Sequence, residues 1–287
     1  MREIKRLLDR YYKEYNFGER ILHDPIEFPH RYKKPEDIEI AGFIASCFAY
    51  GRVGLFKPVI GRILSLMGSS PCAFLIEFKA ERNERSETRL VELFTGIKYR
   101  FNENKDILCL LYVIGEILKK NNSLENAFKT HYRDGDVNIG NALEGFIDYI
   151  LGIDTSEVYG KNIKPKGFLQ FFPSPEKGSA CKRMNLFLRW MIRDKDIDFG
   201  IWKGIPKNKL VIPLDTHIAR ISRCLGFTKR KADNWETAVE ITEALKKLDP
   251  EDPLKYDFAM CHHGISGSCG PKFTKCDKCV LKNLTYP

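Results

Sequence analysis

Apolar residues recur at intervals of three and four through almost every segment of this 287-residue chain, and strict alternation is scarce. That period lays a continuous apolar stripe along one side of a helix and cannot build a half-buried strand. The pattern therefore confines the chain to the all-α class, with about ten or more helices. In IKRLLDRYYKEY, Ile4, Leu7, Leu8, Tyr11, Tyr12 and Tyr15 share one stripe. PEDIEIAGFIASCFAYG opens on Pro35 with acids and stops at Gly51, the punctuation of helix ends. Val59, Ile63, Leu64 and Met67 mark a further helix, and NKDILCLLYVIGEILKKNN is apolar enough to sit at the centre of the core. LENAFKTHY, IGNALEGFIDYILG, GSACKRMNLFLRWMIR, DTHIARISRCLGF and WETAVEITEALKKL follow the same rule, with looser stretches at 152–170 and 194–210.

Composition narrows the setting. The chain is 43% hydrophobic and 12% aromatic, which is enough for a sizeable core. No apolar run approaches the roughly 18 residues of a membrane span. The start, MREIKRLLDRYYKEYNFGER, is charged throughout and has no signal-peptide stretch. A soluble cytoplasmic monomer, with no membrane partner, is the expectation. The net charge of +9 favours an anionic partner, of which nucleic acid is the commonest large one; an ordinary solvated surface fits the same number.

The cysteines are unevenly placed. Cys261, Cys269, Cys276 and Cys279 follow one another at spacings x7, x6 and x2 in a lysine-rich tail. In a reducing compartment such a cluster points to metal rather than disulfides. Cys276 and Cys279 can reach one centre from a single tight turn. Gly264, Gly267 and Gly270 would let a loop bring in the other two. Four thiolates suit a [4Fe–4S] cluster or Zn²⁺, and His262 and His263 are possible substitutes at a zinc site. One close pair with two dispersed cysteines fits the cluster better than a zinc ribbon. Cys47, Cys72, Cys109, Cys181 and Cys224 lie in apolar helical contexts and read as packing residues.

The second informative stretch is IPLDTHIARISRCLGF. Asp215 precedes an amphipathic helix with Ile218, Ile221 and Leu225 on its inner face, and an N-cap is its ordinary role. The same stretch resembles the VDTHV-x-R segment of the helix-hairpin-helix DNA glycosylase superfamily, the endonuclease III-like and 8-oxoguanine glycosylase proteins. The four-cysteine tail, the helix and turn of IEIAGFIASCFAYGRV, and GIKYRF at Gly96–Phe101 are similar to that superfamily in the same order, over roughly 36–279.

The resemblance implies a two-lobed helical fold. Residues 36–200 would form a lobe with the hairpin-like segment, and 1–35 with 201–287 a second lobe carrying the metal loop. It implies excision of a flipped, damaged base from duplex DNA, with Asp215 as the catalytic carboxylate. Tyr50, Gly51 and Arg52 would fill the gap left by the base. The hairpin departs from the family pattern: in FFPSPEKGSACKRMNLFL the first glycine is replaced by Glu176 or Lys177. Gly178, Ser179 and Ala180 would still offer backbone N–H groups to a phosphate. Direct alignment puts Ala180 where bifunctional members carry a Schiff-base lysine. Lys182 lies two residues on and 33 before Asp215, and is the candidate nucleophile, with Arg183 beside it. Lys272, Lys275, Lys278 and Lys282 would contact DNA phosphates from the tail. Two other readings stay open: a non-catalytic DNA-binding protein on the same scaffold, and a zinc-stabilised helical interaction protein.

Overall fold

The computed structural model describes residues 1–80 and 92–265, the side chains of 78–80 excepted. Among the described residues the chain is helical and has no strand; isolated bridges pair Tyr99 with Asn102 and Ser179 with Asn234. The principal helices are α1 (Arg2–Glu14), α2 (Pro35–Phe48), α3 (Val53–Leu66), α4 (Pro71–Ala80), α5 (Asn104–Asn121), α6 (Leu124–Lys129), α7 (Gly140–Gly152), α8 (Lys182–Ile192), α9 (Thr216–Cys224), α10 (Trp235–Lys246) and α11 (Asp257–Ile265). No single one of them is long and apolar enough to cross a membrane.

Contacts divide the chain into two compact units. One comprises Met1–Arg20, Val137–Ile139 and the chain from Pro175 onward; the other comprises Ile21–Asp136 and Gly140–Ser174. From Pro175 on, the hairpin-like segment and α8 fall in the unit that carries Asp215, and Phe171–Ser174 fall in the other.

The unit spanning Ile21–Ser174 is centred on α5, where Ile107–Leu111, Val113, Ile114 and Ile117 are fully or nearly fully buried. A capping box of Glu103 and Asp106 starts that helix. In α2 every residue from Asp37 to Phe48 is buried, including two acids. They cap other helices. Asp37 accepts from Ser70 Oγ at 2.7 Å and Cys72 N at 3.1 Å at the start of α4. Glu39 accepts from Leu124 N and Glu125 N, both at 2.9 Å, at the start of α6. Each satisfies otherwise orphaned amides, worth about 1 kcal/mol per cap.

In the other unit α8 is buried from Arg183 to Ile192, and Arg189 within it and Arg193 at its C-cap organise the surroundings. Arg189 pairs with Asp198 and with Asp257, the first residue of α11. Arg193 pairs with Asp252 at 2.9 Å, Asp198 at 2.9 Å and Asp196 at 2.7 Å. Asp9 on α1 accepts from Lys255 at 2.9 Å and Tyr256 Oη at 2.6 Å.

Two local expectations are corrected. Helix α8 begins at Lys182, not at Gly178; residues 175–181 form a turn with Gly178 N donating to Pro175 O, Gly178 at φ +77° and Cys181 at φ +49°. Cys261 and Gly264 lie in helix α11 rather than in a bending loop. The helix forms because Asp257 is anchored by Arg189, and because Gly264, with no Cβ, packs against His217: a Cβ there would lie 2.6 Å from His217 Cβ.

Candidate active site

Asp215 combines its two expected roles by dividing its oxygens. Its backbone is extended, and Oδ1 accepts from His217 N and Ile218 N at 2.9 Å each, the N-cap of α9. The other oxygen, Oδ2, lies 3.5 Å from Lys182 Nζ and 3.5 Å from Cys261 Sγ. Helices α8, α9 and α11 thus bring an amine, a carboxylate and a thiol to one atom. The Asp215 side chain is 14% exposed and that of Lys182 37%.

Burial alone would raise the Asp215 pKa. The Lys182 charge, the Ile218 amide, His217 and Cys261 outweigh burial and bring it below the usual carboxylate range. His217 is half-buried, and burial is the main cause of its lowered pKa. Arg220 Nη2 lies 3.2 Å from His217 Nδ1, and a guanidinium can only donate, so the neutral ring accepts there.

The approach to Lys182 runs against local preference. Cys181, the N-cap of α8, occupies the left-handed region without a side-chain cap bond, and the first turn holds Lys182 and Arg183 and no acid. Cations at a helix N-terminus oppose its dipole. The turn is held by Cys181 N on Ser179 Oγ at 3.2 Å, by Asn185 Nδ2 on Ala180 O at 3.1 Å, and by Trp235 N on Gly178 O at 3.2 Å. Gly178 is exposed, and Ser179 and Ala180 are partly exposed. Arg183 is not with them: it is 8% exposed, packed into the unit and unavailable to an external phosphate.

The Tyr50–Gly51–Arg52 segment belongs to the other unit. The Tyr50 hydroxyl donates to Asn102 Oδ1 at 2.5 Å, and the Tyr99 hydroxyl donates to Tyr50 O. Tyr50 is therefore a braced, half-buried ring rather than a free wedge. Gly51, at φ +83°, sits where a Cβ would lie 2.5 Å from Arg100 Nη1. Arg52 is exposed at the start of α3. The neighbouring turn, closed by Tyr99 N to Asn102 O at 2.9 Å and Asn102 N to Tyr99 O at 2.8 Å, presents Phe101 at 63% exposure. Phe171, Phe172, Trp190 and Trp202 are core residues.

Of the expected metal ligands only Cys261 is described; Cys269, Cys276 and Cys279 lie outside the described residues, as do Lys272, Lys275, Lys278 and Lys282. The Cys261 thiol donates to Asp215 Oδ2 at 3.5 Å. The two histidines are packing residues: His262 lies 4.3 Å from the Phe258 ring, and His263 meets Tyr11 edge-on at 5.5 Å. Among the described residues no group of metal-ligating side chains comes together. The involvement of Cys261 and the packing of Gly264 on His217 escaped the sequence reading. The legible sign was that Asp257 and Cys261 stand one turn apart at helical spacing.

A family model described as "Protein of unknown function (DUF2400)" matches residues 24–266. Endonuclease III of Thermotoga maritima is 37% identical over 92 residues, which is 31% of this chain. The chain spans 38% of that protein's length. No solved structure matches the chain.

Proposed function

The chain belongs to the DUF2400 family, and we propose that it is a DNA base-excision glycosylase with lyase activity, acting on a flipped, damaged base in duplex DNA. The observation that carries the proposal is the 3.5 Å separation of Lys182 Nζ and Asp215 Oδ2, with Lys182 37% exposed. The partial likeness to an endonuclease III supports DNA as the partner, as does the charge of +9.

A base stacked in duplex DNA hides its glycosidic bond, so the nucleotide must leave the helix first. Asp215, held ionised, then faces the positive charge that develops on the deoxyribose as that bond breaks. Lys182, having released a proton toward solvent on its exposed side, forms a bond from Nζ to C1′. The C1′–N bond breaks, and its electron pair leaves with the base, which takes up a proton. Nζ then gives up a further proton, its lone pair forms the C1′=N bond as C1′–O4′ breaks, and O4′ takes up a proton; the ring-opened protonated imine permits strand cleavage. Oδ1 takes no part, because capping α9 fixes the carboxylate in place. In the exposed turn before α8, where the Gly178 amide is committed to Pro175 O, the Ser179 and Ala180 amides would hold a phosphate. In the tail, Cys269, Cys276 and Cys279 are the proposed ligands of a structural [4Fe–4S] or zinc group, with Lys272, Lys275 and Lys278 on phosphates. When bound, such a group would fix the shape of a lysine-bearing loop. The proposed setting is the cytoplasm, where the chromosome of a prokaryotic cell lies.

The test is incubation with a panel of lesion-bearing duplexes in the presence of borohydride. A covalent protein–DNA adduct is expected for the wild type and none for Lys182→Ala. Base release without an adduct would leave a glycosylase that uses water. Binding without release from any duplex would establish the non-catalytic reading instead.

A further inference from the structure

Resting on that reading of Asp215, we infer that Cys261 is a positioning residue of the carboxylate and not a ligand of a metal group in the tail. Its Sγ lies 3.5 Å from Oδ2, an ordinary distance for a thiol donating to a carboxylate oxygen. Metal ligation requires the thiolate. A thiolate at that place would face the ionised Asp215 across the same gap and repel it, whereas the neutral thiol attracts it.

The position of Cys261 is also built. Asp257, one turn earlier on α11, is buried and paired with Arg189 of α8, the helix that carries Lys182. Gly264, almost one turn later, lies against His217 of α9, the helix that Asp215 caps. Cys261 sits on α11 between these two anchor points, which fix its backbone beside Asp215. The N-cap bonds fix Oδ1; the thiol fixes Oδ2. This matters when Lys182 changes from an ammonium to a neutral amine and then to an imine, since Oδ2 loses an attractive partner while the S–H donor remains. The carboxylate thereby keeps its orientation through the step that needs it.

The experiment compares full-length Cys261→Ala, Cys261→Ser and Cys276→Ala. Metal per chain, single-turnover base release and infrared difference spectra are the three readouts. Cys261→Ala should keep the wild-type metal content and release base about threefold to tenfold more slowly, the scale of one lost hydrogen bond. Cys261→Ser should restore the rate, because its O–H donates in the same direction. Cys276→Ala should lose the metal. The spectrum of wild type minus Cys261→Ser should contain an S–H stretching band that moves when Asp215 is changed to Asn. Loss of metal in Cys261→Ala matching that in Cys276→Ala would overturn the inference, as would a wild-type rate in Cys261→Ala or the absence of the S–H band. If the wild type releases no base from any duplex, the glycosylase reading fails, while the infrared band and the metal content still decide where Cys261 belongs.

Discussion

The unit that carries Asp215 holds two sets of shielded carboxylates, and they differ in what surrounds them. Asp198 and Asp257 are closed in: the side chains are 2% and 3% exposed, and their bonds run to the equally buried Arg189 and Arg193. Asp215, at 14% exposure, is less closed, and its partner Lys182 is 37% exposed. One oxygen is committed to the backbone, and the other faces a lysine that water can reach. The closed set has nothing left to offer a substrate and acts as the frame. The open set keeps an interaction whose partner can be exchanged, which is what a reacting centre needs. Burial of a charged group alone therefore does not separate the two sets; the exposure of its partner does.

The largest expected effect breaks the frame. Arg193→Met removes the partner of Asp196, Asp198 and Asp252 together. A buried carboxylate stripped of its counter-charge costs about 3–5 kcal/mol. Urea unfolding should show a loss of that size, with base release falling only in proportion to the folded fraction. A variant as stable as the wild type would show that the arginine's pairs are not structural.

Asp215→Asn should do the reverse. Asparagine caps a helix as well as aspartate does, so stability should stay within about 1 kcal/mol of the wild type. The charge facing the sugar is lost, and single-turnover excision should fall by about 10²–10³-fold. DNA binding should persist in a gel-shift assay. A variant that excises normally would end the role given to this carboxylate.

The pH response separates the two sets by sign. Burial is the main reason that Asp257 is pushed up to about 6, and Arg189 opposes it. Folded protein then holds a proton that unfolded protein has released, so this group's contribution to stability is complete below about pH 4 and is lost as pH rises through about 6, by up to about 3 kcal/mol. Asp215 has a lowered pKa, so its contribution is present above the ordinary carboxylate value and lost as pH falls. Unfolding free energies between pH 4 and 7 should show a smaller decline with rising pH in Asp257→Asn than in the wild type. Identical slopes would mean that Asp257 is ionised throughout.

How much of this was legible follows from the range of each signal. The all-α class and most long helices were readable, because apolar period is a local property that a core rewards directly. Asp215 was readable as a cap, and the structure has it capping α9; its catalytic role is what the resemblance implies. Lys182 was named with Ala180 as a rival, and the alignment could not choose; the left-handed Cys181 turn is what brings Lys182 to the carboxylate. Asp37 and Glu39 were read as acids suited to their own helix start, because a cap given to a helix more than 30 or 80 residues away leaves no local trace. Arg183 looked like a surface cation, and only packing shows it to be buried. Cys261 was grouped with the tail by spacing along the chain, and its contact with Asp215, 46 residues earlier, leaves no local trace.

The smallest expected effect concerns the joint between frame and site. At Gly264 an added methyl would meet the backbone-proximal atoms of His217, with Cβ at 2.6 Å and Cγ at 2.9 Å, and these cannot rotate away as the end of a long side chain could. Gly264→Ala should therefore push α11 from α9 at a cost of about 1–3 kcal/mol, the range for overpacking. The gain in helix propensity from glycine to alanine, about 1 kcal/mol, offsets part of it. The displacement acts on Cys261 more than on Lys182, whose helix is held by Arg189 and Arg193. Excision should accordingly slow by no more than Cys261→Ala slows it, and adding Gly264→Ala to Cys261→Ala should produce little further loss of rate. Fully multiplicative losses would show that the glycine contact reaches the carboxylate by a route other than the thiol.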